Sequence, residues 1–116
     1  MTKGKVVLVP FPFDDMTASK VRPAVCLTEP IGPHRHVVVA FVSSQVPLEL
    51  AATDVVLEPK RPDFAATGLR VVSVLRLHRL VTLTTALIRR ELGTLSQPWQ
   101  AEVAQKLSAL FGLPAR

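Results

Sequence analysis

The chain has 116 residues, 48% of them hydrophobic and 20% charged, with one cysteine, ten prolines and no tyrosine. That length suits one domain (residues 1–116) with a modest core, that composition excludes a disordered chain, and a lone thiol excludes an internal disulfide. The net charge of +5 favours an anionic partner, and no apolar stretch is long enough to span a bilayer, so a cytoplasmic protein without membrane contact is expected.

The elements follow in chain order. Val6-Val7-Leu8-Val9 is a first β-rich run, and Phe11 to Ser19 after it is a turn-rich loop. Ala24-Val25-Cys26-Leu27 forms a second strand, with Cys26 expected as a buried core thiol. Pro30-Ile31-Gly32-Pro33 is a turn, followed by the run Val37–Val42 and a shorter one, Val55–Leu57. Two more strands are predicted, Val71–Leu75 and Leu80–Leu83. The pattern implies a mainly antiparallel β domain, curled into a small barrel that hides its strand edges. The end differs. Ser96 can cap a helix that tolerates Pro98 in its first turn, Trp99, Val103, Leu107 and Leu110 fall on one face, and Gly112 stops it. Trp99 is expected to pack against the barrel.

The chemistry gathers in three polar islands. Arg22-Pro23 places a permanent cation where a polar loop becomes a buried strand, and the proline biases Arg22 toward extended backbone. Ser43-Ser44-Gln45 follows the valine-rich strand; hydroxyls there are commonly turn residues. In Ser73 to Arg79, strand alternation puts Arg76 and His78 on one face, opposite Leu75 and Leu77. Charge is uneven as well. Residues 1–58 carry five Lys/Arg against six Asp/Glu, whereas residues 59–116 carry nine against three: Lys60, Arg61, Arg70, Arg76, Arg79, Arg89, Arg90, Lys106 and Arg116. A basic half suits nucleic acid or an acidic protein segment. No phosphate-binding glycine loop, paired cysteines or His-Glu zinc motif is present, and His34 with His36 lacks a nearby carboxylate. Catalysis without metal or cofactor is the expectation.

Taken in order, these pieces resemble the MazF/PemK family of toxin endoribonucleases. The likeness is carried by Gly4–Val9, Phe11-Pro12-Phe13, Arg22-Pro23-Ala24-Val25, Ser43-Ser44-Gln45, Gly68-Leu69, Ser73, Arg76, Leu92–Leu95 and the terminal helix. It implies an SH3-like barrel with a C-terminal helix, a homodimer, and a small antitoxin partner whose acidic C-terminal segment blocks the site. It also implies metal-independent cleavage of single-stranded RNA, mRNA foremost with tRNA and rRNA as further candidates, through attack of the 2′-hydroxyl. On that resemblance Arg22 and Ser43 are catalytic, Ser43 standing where the family has threonine. The family's Arg-x-Asp segment falls on Arg76, Leu77 and His78, so histidine replaces the acid and His78 becomes the candidate base or acid. Lys20, Ser44, Gln45 and Arg76 are expected to bind RNA, and the loops Pro12–Lys20 and Pro47–Thr53 to read bases. A gyrase-poisoning toxin of the same fold, or an inactive SH3-like RNA-binding module, is the alternative.

Overall fold

The computed structural model of the protein describes residues 1–10 and 20–114. Among them, six strands, β1 (Lys5–Pro10), β2 (Val21–Cys26), β3 (His36–Ser43), β4 (Asp54–Leu57), β5 (Ser73–Thr84) and β6 (Arg90–Thr94), precede one α-helix, α1 (Gln97–Leu110). They form a single curled antiparallel sheet in the order β4-β5-β3-β2-β1-β6, with α1 packed against it. The mainly β fold with a C-terminal helix is thus as expected. The predicted loop from Phe11 to Ser19, with the Phe11-Pro12-Phe13 segment, lies outside the described residues. No helix among them is long and apolar enough to cross a membrane.

Strands β1, β3 and β4 read as nearly unbroken apolar runs because the sheet buries both of its faces there. Val6, Val25, Ala40, Val42, Val55, Leu57, Leu75 and Leu77 form one core with Phe64, Leu95, Trp99 and Val103. Their strand neighbours Val7, Val9, Ala24, Cys26, Val37, Val39 and Phe41 face the other way and form a second core with Leu83. The helix is built as its sequence dictates. Ser96 Oγ accepts the Trp99 N–H, Pro98 occupies the first turn, and Gly112 takes a positive φ just past the end. Asp63 then accepts from Ser96 Oγ at 2.6 Å and from Arg61, whose guanidinium lies 4.2 Å from the Trp99 ring centre. A surface loop is thereby fastened to the start of α1.

Two strand expectations need correction. Val71–Leu75 and Leu80–Leu83 are not separate strands: Ser73 to Thr84 is one strand, and Val71 lies in the loop before it. The interruption is a bulge, since Ala40 pairs with Leu80 while the adjacent Phe41 pairs with Arg76, so that Leu77, His78 and Arg79 are extra residues of β5 between two consecutive register pairs. The strand β6 has no counterpart among the predicted elements. Its sequence, Arg-Glu-Leu-Gly-Thr, has a single large apolar residue, and it exists by pairing with β1 and by the Lys5–Glu91 ion pair at 2.9 Å. Gly93 is required there: a Cβ would lie 2.1 Å from the Ala66 carbonyl oxygen, so β6 and the Ala65–Thr67 turn touch backbone to backbone.

Cys26 is buried, as expected, with 1% exposure. Burial, reinforced by Glu29, pushes its thiol up from 9.0 to about 11. Folding therefore holds the protonated form, and the associated stability is complete below pH 9.0 and lost as pH rises toward about 11. Thermal unfolding between those limits should show a falling Tm that Cys26→Ala removes. Alkylation by iodoacetamide at mildly alkaline pH should be at least about a hundredfold slower than for a free thiol.

Candidate nucleic-acid interface

The site arises where the sheet divides. β2 and β3 pair only from Ala24↔Phe41 to Cys26↔Val39. Beyond that point β2 continues along β1 to Val21, while β3 continues along β5 to Ser43. Pro23, with no N–H to offer a partner, sits where pairing with β3 has stopped. A cavity of about 590 Å³ opens between the diverging ends.

Its walls are Arg22 and Pro23 from β2, Phe41 to Gln45 from β3 and the turn after it, Gly68 to Val71, Ser73, Arg76 and Arg79 from β5, and Arg90 and Leu92 from β6. Among the described residues, all five charged side chains that line the cavity are arginines and no carboxylate does. Like charges converging on one concave surface concentrate the positive potential and attract a polyanion. Guanidinium groups also present planar forks that match phosphate oxygens.

Each side chain has a local reason for its place. Ser43 Oγ accepts the Gln45 N–H at 3.1 Å and donates to the Gln45 carbonyl at 3.3 Å, so the hydroxyl shapes the turn that lines the cleft. Arg76 donates through Nε to Asp54 Oδ1 at 2.9 Å, across the β4–β5 pair that sets the two residues opposite each other. His78 Nδ1 is 4.0 Å from the same carboxylate oxygen. Arg76 and His78 do share a face opposite the buried Leu75 and Leu77, as alternation predicts. The bulge delivers Arg79, and the unforeseen edge strand delivers Arg90.

Of the residues singled out from sequence, Arg22, Ser43, Ser44, Gln45 and Arg76 come together around the cavity. Lys20 and His78 are exposed and do not line it. Sequence reasoning missed Arg70, Arg79 and Arg90, although the basic excess of the second half contains all three. Asp54 carries no sequence signal at all, being an isolated acid at a strand start. Among the described residues no three His, Cys, Asp or Glu side chains gather as a metal-binding group; the His34 and His36 rings lie 5.8 Å apart.

A curled antiparallel sheet with one terminal helix and an arginine-lined cleft between splayed strands defines a small β protein with a strongly basic cleft. The chain matches the model of the PemK-like, MazF-like toxins of type II toxin–antitoxin systems over residues 2–111, and it belongs to that family. Its fold is shared with the Mycobacterium tuberculosis toxin MazF-mt6, at 21% identity and a TM-score of 0.72, covering 96% of this chain and 99% of that one. The MazE-MazF crystal structure from Deinococcus radiodurans aligns at 21% identity and a TM-score of 0.69, over 98% and 97% of the two chains. An endoribonuclease in complex with its cognate antitoxin from a mycobacterial species aligns at 15% identity and a TM-score of 0.68, over 100% and 97%. No curated protein sequence matches significantly.

Proposed function

We propose that this toxin is a metal-independent endoribonuclease that cleaves single-stranded RNA in the arginine-lined cleft. The observation that carries the reading is the convergence of five arginines, with no lining carboxylate among the described residues, on a cavity that also holds Ser43. Single-stranded RNA brings a phosphate at every nucleotide and exposes its base edges for reading.

In the proposed reaction the ribose 2′-oxygen bonds to the adjacent phosphorus, the bond to the 5′-oxygen breaks, and a 2′,3′-cyclic phosphate remains. Negative charge accumulates on the non-bridging oxygens, and donors already fixed around them lower the barrier. Arg22 takes the scissile phosphate, Ser43 orients it, and Arg76, Ser44 and Gln45 hold the flanking chain. Lys20, exposed and outside the cavity lining, is assigned a contact with the flanking RNA strand. His78, exposed and outside the cavity lining but on the face of β5 that carries Arg76, is assigned proton transfer, a role that requires the bound RNA to extend from the cavity to its imidazole. His78→Ala should then lower the single-turnover rate by about 10²–10⁴-fold; an effect below tenfold removes it from the mechanism.

The partners follow from the same surface. MazE bound to MazF, and the mycobacterial endoribonuclease bound to its cognate antitoxin, are the relatives' assemblies. For this chain we propose an antitoxin whose acidic segment occupies the cleft in place of phosphates, and a homodimeric toxin. Mapping the ends of RNA cut by the purified protein tests the function. Cyclic phosphate ends, formed equally with and without EDTA, are expected; loss of specific cleavage on chelation, or no cleavage at all, overturns the reading.

A further inference from the structure

We propose that Asp54 is a positioning residue that holds Arg76 toward the RNA backbone, which rests on the reading of the cleft as an RNA site. Asp54 has a fully buried side chain, and a buried carboxylate persists only where its oxygens are satisfied. Here they are. Oδ1 accepts from Arg76 Nε at 2.9 Å, Oδ2 accepts the Ala51 N–H at 2.8 Å, and the main-chain carbonyl accepts from Lys106 Nζ of α1 at 2.7 Å. Lys106 is itself paired with Glu102 at 2.9 Å. Asp54 is therefore fastened from the β3–β4 loop, from β5 and from the helix, and it is an immobile acceptor.

An acceptor fixed at Nε sets the plane of the guanidinium and leaves the Nη edge for a second anion. Among the described residues Arg76 donates only through Nε, and its side chain keeps 23% exposure while lining the cleft. Arginine otherwise has wide rotamer freedom, and a donor ordered before the ligand arrives does not have to be reorganised in the complex.

Counting charges alone gives the opposite prediction. Removing a carboxylate beside a basic cleft raises the net charge by one and should tighten the binding of a polyanion. Positioning requires binding to weaken. The two are separated by measuring the affinity of a random-sequence pool of 2′-O-methyl RNA oligonucleotides, which cannot be cut because the attacking hydroxyl is blocked. Asp54→Asn should weaken binding about tenfold, the effect expected for one hydrogen bond to a charged group, and Arg76→Gln should do the same. The double variant should be no weaker than Arg76→Gln alone. Arg76→Lys, which keeps the charge but not the planar fork, should behave as Arg76→Gln does, and it decides the matter if Asp54→Asn does not fold. Unchanged or tighter binding by Asp54→Asn, additive effects in the double variant, or full affinity in Arg76→Lys would overturn the proposal. If the wild type ignores the RNA pool yet binds inorganic tripolyphosphate with the same coupling, Asp54 keeps its role and the RNA reading falls. Binding of neither probe overturns both.

Discussion

Arg22→Ala should lower the single-turnover cleavage of single-stranded RNA by at least about 10²–10³-fold, the usual cost of removing one fixed donor from a developing oxyanion. Arg22 stands where the β2–β3 ladder has opened, opposite Ser43 across the split, and both residues line the cavity. Lysine should not rescue it, because an ammonium cannot supply two parallel N–H donors. Arg22→Lys is therefore expected to remain at least tenfold impaired, with the folded state intact by circular dichroism. Cleavage at the wild-type rate by Arg22→Ala would remove this residue from the centre of the mechanism. The salt dependence of binding gives an independent check: for single strands, neutralising one fewer phosphate should reduce the slope of log affinity against log salt by about 0.7.

Trp99→Ala should be the most destabilising simple truncation, costing about 3–5 kcal/mol. The indole is wholly buried in the core shared by the sheet and α1, and Arg61 lies 4.2 Å from its ring centre. Deleting it leaves a cavity between layers that cannot close without moving the helix, and it leaves Arg61 without its ring. Against the ~5–15 kcal/mol that holds a typical domain together, such a change endangers folding at 37 °C. Guanidinium denaturation followed by circular dichroism measures it; a change below about 1 kcal/mol would show that α1 contributes little to the core. Since Lys106 of α1 also holds Asp54, a loosened helix should weaken RNA binding as well, at temperatures below the unfolding transition.

How far each feature can be read from sequence depends on the range of the interaction that makes it. Strands β1 to β4 are legible because valine-rich runs bounded by proline and glycine announce a buried strand locally. The helix is legible for the same reason: Ser96, Pro98 and the Trp99-Val103-Leu107 spacing all lie within a few turns. β6 is not, since Arg90 to Thr94 becomes a strand only through β1, far away at the start of the chain, and through the backbone contact that Gly93 permits. The union of two predicted strands into β5 is hidden because a bulge places charged residues in the middle of a continuous strand.

The same division runs through the site. By itself the sequence determined the mainly β class and the capped terminal helix, and it singled out Arg22, Ser43, Ser44, Gln45 and Arg76 as polar residues in or beside strands that local pattern marks; the fold gathers them around one cavity. Only the tertiary structure decided that Arg70, Arg79 and Arg90 join them, and that His78 and Lys20 stand outside the cavity. It alone placed Asp54 against Arg76, residues 22 apart in sequence but directly opposed on β4 and β5. Periodicity assigns a residue to a face; which faces meet is settled by strand pairing, and pairing is a long-range property that no local window contains.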